Sequence, residues 1–199
     1  MKKNIILAGV GGQGILSIAA VLDLAALENG LNIKQAEVHG MSQRGGAVQS
    51  HLRISSEKIY SDLIPKGQAD LILSVEPLEA LRYIPYLKQG GQVVSSTNPF
   101  INIPNYPDMQ LILNELALIG RPVLISAETL AKEAGSLKTT NMVMLGAASG
   151  FTGLAQTSFE KAIATIFQRK GERIIDMNIR AFQMGVSASG EIVLQVGTN

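Results

Sequence analysis

A glycine-rich turn near the start of the chain narrows the possible folds more than any other feature. Residues 4–8 (Asn-Ile-Ile-Leu-Ala) are a short apolar run that stops in Gly9-Val10-Gly11-Gly12-Gln13-Gly14. From Gly14 to about Asn29, Ile15, Ile18, Leu22, Ala25 and Ala26 recur at helical spacing, and Gly30 supplies a stop. A buried strand that enters a helix through such a turn opens a strand–helix–strand unit. Met1-Lys2-Lys3 and the apolar run have a superficial likeness to a secretory leader. Gly9, Gly11, Gly12, Gln13 and then Asp23 interrupt the run, so a strand entering a turn is the better reading. No stretch approaches the ~18 to 20 uninterrupted apolar residues that a bilayer demands.

The same alternation continues. Residues 33–38 read as a strand, and a polar, glycine-bearing loop follows from His39 to Gly46. Val48, Ser50, Leu52 and Ile54 alternate with Gln49, His51 and Arg53, a period of two that places this strand near a sheet edge or interface. Residues 70–75 are a further strand. Glu76-Pro77 opens a helix to about Lys88, ended by Gly90-Gly91, and residues 92–96 are a strand. A loop rich in Asn and Pro (98–107), a helix (about 108–119) and a strand (122–125) come next, with Ser126 capping a helix to Ala134. Residues 139–188 read as helix in three pieces, broken near 150–153 and at Lys170-Gly171. Residues 191–196 read as a last strand or a tail. The sum is an α/β chain: an open, mostly parallel, Rossmann-like sheet covered by helices, with a helical C-terminal part, in a single domain over 1–199.

Composition limits the partners. Hydrophobic residues make up 46% and charged ones 17%, so apolar surface is left over for a companion chain, although a sheet buried on both faces has the same effect. A net charge of +1 with no polybasic run gives nucleic acid or an anionic membrane nothing to hold. The absence of cysteine excludes disulfides, thiolate zinc sites and iron–sulfur clusters ligated by this chain, and is compatible with a cytoplasmic setting.

Gly9, Gly11 and Gly14 occupy the glycine positions of a dinucleotide fingerprint, where backbone N–H groups and a helix N-terminus receive an anion. From the residues alone, a tight turn that touches no ligand stays open beside that use. A P-loop is excluded, because Ile15 and Leu16 stand where Lys and Ser or Thr are required. A short-chain dehydrogenase is excluded too: four residues after Tyr60, Tyr83, Tyr86 and Tyr106 come Ile64, Leu87, Gly90 and Gln110, never Lys. Glu37, 23 residues after Gly14, stands where a dinucleotide fold would hold a ribose. The second loop, His39-Gly40-Met41-Ser42-Gln43-Arg44-Gly45-Gly46, offers a guanidinium fork for a phosphate or carboxylate; pairing of Arg44 with Glu37 is the structural alternative. Both loops follow strands, so both should open on one sheet edge. His39 and His51 lack a carboxylate or nucleophile partner in sequence and read as structural or interfacial. Asn141 caps a helix or faces a ligand, with capping preferred, and Met41, Met142 and Met144 read as packing. No catalytic residue and no metal ligand is assigned.

The glycine turn, the run Glu37-Val-His-Gly-Met-Ser-Gln-Arg-Gly-Gly46 and the later Thr140-Asn-Met-Val-Met-Leu-Gly146 together resemble the gamma-type domain of the 2-oxoacid:ferredoxin oxidoreductases, nearly end to end. The compact second run is similar to the indolepyruvate branch, whose small subunit is termed beta. The resemblance implies oxidative decarboxylation of an aryl 2-oxoacid to an acyl-coenzyme A, with electrons passed to ferredoxin. It implies a larger alpha subunit carrying thiamine diphosphate, Mg²⁺ and the iron–sulfur clusters, and coenzyme A as co-substrate. No Gly-Asp-Gly diphosphate motif occurs in this chain, in keeping with that division of labour. The ligand-binding positions expected here are Gly9, Gly11, Gly12, Gln13, Gly14, Ser42, Gln43, Arg44, Gly45 and Gly46. A gamma-type subunit acting on pyruvate or another 2-oxoacid, a stand-alone NAD(P)-binding oxidoreductase and a pure scaffold are the alternatives, and a homodimer is expected of the isolated chain.

Overall fold

The computed structural model describes residues 1–39 and 45–197. Strands occupy Lys2–Val10 (β1), Asn32–His39 (β2), Ala47–Ser55 (β3), Ala69–Ser74 (β4), Leu87–Ser96 (β5) and Val123–Ile125 (β6). They form a six-stranded sheet in the order β2-β3-β1-β4-β5-β6. β1, β4, β5 and β6 pair in parallel, whereas β3 runs antiparallel to both β1 and β2. The sheet is therefore mostly parallel, with one reversed strand.

Helices span Ile15–Glu28 (α1), Pro77–Arg82 (α2), Met109–Ala117 (α3), Ala127–Ala134 (α4), Thr140–Ser149 (α5), Gln156–Phe167 (α6) and Glu172–Gly197 (α7). Side chains alternate across a strand, and β1 supplies both faces. Ile5 and Leu7 join the larger core with α1, α4, α5, α6 and α7, while Ile6 and Ala8 join a smaller one with Ala80, Tyr83, Ile112 and Leu116. Burial on both faces is why the opening run is continuously apolar.

β3 lies near an edge, as expected: it is the second strand, between the edge strand β2 and β1. Its polar face is covered by the 56–64 segment, whose backbone its side chains satisfy. His51 Nδ1 accepts from Ile64 N at 2.9 Å, and Arg53 Nη1 donates to the carbonyls of Ser61 and Leu63 at 2.8 and 3.2 Å. Alternating polarity here marks a polar interior contact, not solvent. The helix from Glu76 ends at Arg82, not near Lys88, and a 3-10 turn at Ile84–Tyr86 leads into β5. Pro85 cannot continue a helical hydrogen-bond ladder. Gly90 and Gly91 lie inside β5, where its register with β4 shifts. Finally, residues 191–196 continue α7 instead of forming a strand; Ala188 and Ile192, one turn apart, pack on the larger core.

The predicted breaks in the C-terminal part hold, and the Thr140–Gly146 motif has a packing role. Residues 141–149 of α5 are all buried, Met142 and Met144 fully. α5 lies between the sheet and α7. A Cβ on Gly146 would sit 1.9 Å from the Phe182 carbonyl oxygen, and one on Gly185 would sit 1.9 Å from that of Val143. The two helices touch backbone to backbone at these glycines.

Candidate functional site at the carboxyl edge of the sheet

β1 and β2 are both antiparallel to β3, so their carboxyl ends share one edge. The two glycine loops meet there: Gly11 N donates to Gly46 O at 2.8 Å, and Gly45 N donates to Gly11 O at 3.3 Å. Ser42, Gln43 and Arg44, like Gly40 and Met41, lie outside the described residues. Glu37 is separated from β1 by the intervening β3, where it pairs with Ser50. Two strand spacings, about 10 Å, take its carboxylate away from the ribose position of a dinucleotide fold, and that expectation is not met.

The turn is closed from within. Gln13 N donates to Val10 O at 3.1 Å, and Gln13 Oε1 accepts from Val10 N at 2.7 Å. Gln13 thus spends its carbonyl on the turn itself. Gly14, the N-cap of α1, has φ +79°, a left-handed conformation that side chains resist. A Cβ there would also meet Asn141 Nδ2 at 2.5 Å. Asn141 Nδ2 donates to Gly14 O at 3.3 Å, and its Oδ1 accepts from Met142 N at 3.0 Å. The expected capping role of Asn141 is not met: Thr139 is the N-cap of α5 and makes no side-chain cap hydrogen bond, while Asn141, the second residue of the helix, bonds its neighbour's N–H and braces the glycine turn.

A cleft of about 720 Å³ opens beside the turn. Gly12, Gln13, Gly14 and Ser17 line it from the start of α1, and residues 136–141 line it from the approach to α5. Lys170 and Asn178 contribute from the far side, and Phe100 and Glu128 from the rim. Lys138 and Lys170 are exposed cations at this cleft, the latter 5.1 Å from the Phe167 ring centroid. Two helix N-termini, each with a partial positive charge, thus share the cleft with two ammonium groups. Sequence reasoning missed Lys138, Lys170, Phe100 and Asn178. Lys170 was read only as a break, and Lys138 stands two residues ahead of the Thr140–Gly146 motif, outside it.

Below the edge is a second polar group. Glu76, 1% exposed, caps α2 by accepting from Glu79 N at 2.8 Å through Oε2. Its Oε1 accepts from Tyr106 OH, and from Phe100 N at 3.4 Å. Burial and the Glu76 carboxylate push the Tyr106 hydroxyl well above its usual range. Burial also raises the Glu79 pKa, against the lowering effect of the Arg82 guanidinium 3.0 Å away. His51 is buried, lowered in pKa by that burial, and sits edge-on to Tyr86 with centroids 5.3 Å apart. That is a structural histidine, as expected. Among the described residues no three His, Asp or Glu gather to hold a metal, and no helix is long and apolar enough to cross a membrane.

The class these features define is a Rossmann-like α/β subunit whose first glycine turn lines a cleft at the carboxyl edge of the sheet. Residues 4–188 match the family described as pyruvate ferredoxin/flavodoxin oxidoreductase, and the chain belongs to that family. The indolepyruvate oxidoreductase subunit IorB of Thermococcus kodakarensis is 42% identical, over 97% of this chain and 99% of that protein. The gamma subunit of a keto/oxoacid ferredoxin oxidoreductase from Geobacter sulfurreducens shares the fold at a TM-score of 0.69 and 26% identity, over 95% of this chain and 99% of that one. A 2-oxoglutarate:ferredoxin oxidoreductase from Magnetococcus marinus, with 2-oxoglutarate, coenzyme A and succinyl-CoA bound, aligns at a TM-score of 0.75 and 23% identity, over 96% of this chain and 31% of its own.

Proposed function

We propose that this chain is the beta subunit of an indolepyruvate-type ferredoxin oxidoreductase, and that its cleft holds the phosphate-bearing end of coenzyme A. The complex oxidatively decarboxylates an aryl 2-oxoacid to the acyl-coenzyme A and passes the electrons to ferredoxin. With no cysteine in 199 residues, the chain has no thiolate for an iron–sulfur cluster. Thiamine diphosphate, Mg²⁺ and the clusters then belong to a larger alpha subunit. Thiamine diphosphate supplies the carbanion chemistry there, and this chain supplies binding and orientation.

The observation that carries the coenzyme A reading is the convergence of Lys138, Lys170 and the Gly12–Gln13–Gly14 turn on one cleft. Anions gain from backbone N–H groups at a helix start and from ammonium groups close by. The Magnetococcus marinus enzyme, solved with coenzyme A, contains a domain of this fold. Gly9, Gly11, Ser42, Gln43, Arg44, Gly45 and Gly46 complete the proposed site.

Steady-state kinetics of the purified complex test this. Lys138→Ala and Lys170→Ala should each raise the Michaelis constant for coenzyme A about tenfold, the loss of one charge-assisted hydrogen bond. The constant for the 2-oxoacid should stay near the wild-type value. Unchanged coenzyme A kinetics in both variants would exclude the cleft as the site. A substrate panel of indolepyruvate, pyruvate and 2-oxoglutarate decides the acid.

A further inference from the structure

We infer that the buried Glu76–Tyr106 pair positions the 98–107 loop as a wall of the cleft, setting how tightly the site holds its ligand without touching it. The inference rests on the proposal that the cleft takes coenzyme A. Glu76 stands just past β4, on the edge that carries the glycine turn, and the chain is pinned there: Val75 N donates to Ala8 O at 3.0 Å. The Ser74 hydroxyl donates to the Glu76 carbonyl at 2.6 Å. The carboxylate then reaches three separate N–H or O–H groups. One is Glu79 N in α2; the other two, Phe100 N and Tyr106 OH, lie near opposite ends of the loop.

A helix cap alone does not explain this residue. Capping needs one short acceptor, and Ser, Thr, Asp and Asn are the residues that supply it best. A carboxylate as buried as this one is costly unless each oxygen finds donors. Here the second oxygen is given wholly to the loop. The loop has no strand or helix to hold it between β5 and α3, so its position depends on such tethers. Phe100 lines the cleft with Gly12 and Val75, and Asn102 Nδ2 donates to Gly45 O at 2.8 Å. One tethered loop thereby connects the cleft wall to the second glycine loop. Glu76 and Tyr106 are positioning residues, acting on the ligand through Phe100 and Gly45.

Tyr106→Phe keeps the ring in the smaller core and removes only the hydroxyl. Tyr83→Phe, in the same apolar layer, is the control. Two measurements are needed: amide hydrogen exchange across 98–107 in the full chain, and coenzyme A kinetics in the purified complex. Tyr106→Phe should speed exchange in that segment about tenfold and raise the Michaelis constant for coenzyme A several-fold, leaving kcat unchanged. Tyr83→Phe should do neither. Wild-type exchange in Tyr106→Phe overturns the inference, and so does faster exchange with an unmoved Michaelis constant. If Lys138→Ala raises that constant and Tyr106→Phe does not, the inference falls while the coenzyme A reading stands. If neither variant moves it, both fall.

Discussion

Glycine serves the turn after β1 and the crossing of α5 with α7 for different physical reasons. At the turn, Gly12 and Gly14 have φ of +103° and +79°: the backbone there adopts a shape that a Cβ opposes. At the crossing, Gly146 and Gly185 have ordinary helical backbone, and what excludes a Cβ is a carbonyl oxygen 1.9 Å away. The first demand is local and the second comes from another helix. The reason for the first kind is visible in the turn's own residues; the reason for the second lies in the partner helix.

The comparison breaks most visibly at the crossing. Gly185→Val should prevent stable folding, since no rotamer relieves a clash between Cβ and backbone; a loss of more than about 3 kcal/mol is expected. Loss of the cooperative thermal transition, or recovery only as aggregate, checks this. A variant that melts like wild type would show that the helices can part without cost.

Gly14→Ala comes next, because it combines both demands. The left-handed N-cap and the contact with Asn141 Nδ2 together should lower stability by about 1–3 kcal/mol, measured by urea denaturation. The double variant Gly14→Ala/Asn141→Ala should recover the contact part and not the conformational part, which separates the two causes within one residue.

Gly12→Ala isolates conformation, since a Cβ there meets nothing within 4 Å. Its stability cost should be near ~1 kcal/mol, smaller than that of Gly14→Ala. Its effect on the coenzyme A Michaelis constant should exceed its effect on melting, because Gly12 lines the cleft.

The smallest effect expected concerns pH and a residue of α1. Burial pushes the Asp23 carboxyl up to about 6, and its Oδ1 has no hydrogen-bond partner among the described residues. A raised carboxyl pKa means that the folded state binds the proton more tightly. Stability is therefore greater at pH 4 than at pH 7 on this account, and declines as pH rises through about 6. Asp23→Asn should remove that decline and raise stability at pH 7.5 by less than about 1 kcal/mol after solvent screening, read as a small rise in melting temperature. Melting curves from pH 4 to 8 that remain parallel for the two proteins would refute it.

Much of the fold was legible in sequence because its signals are local. The β1–turn–α1 unit, the breaks before α6 and α7, and the lone structural histidine His51 all follow from neighbours within a few residues. What covers β3 was not legible: Gln49, His51 and Arg53 signal polarity, and polarity does not say whether water or the backbone of the 56–64 segment meets it. The early end of α2 is set by Pro85, while Gly90-Gly91, a stop signal by residue type, form an irregularity inside β5 instead. The cleft was the least legible feature. Gly12, Phe100, Lys138 and Lys170 are far apart in sequence and meet only because the sheet edge, the approach to α5 and the start of α7 converge.

The enclosure of α5 has a consequence for how the chain is made. Residues 141–149 emerge from the ribosome before the segment that covers them, and Gly185 is some forty residues behind. At a synthesis rate of about 5–20 residues per second, that interval is on the order of seconds. During it, Met142, Met144 and Leu145 belong to a nascent sheet with no roof, open to chaperones or to a waiting companion polypeptide. Vectorial synthesis thus leaves a helix that ends almost wholly buried exposed until late, and the timing of α7, as well as its packing, decides whether the chain reaches its native state.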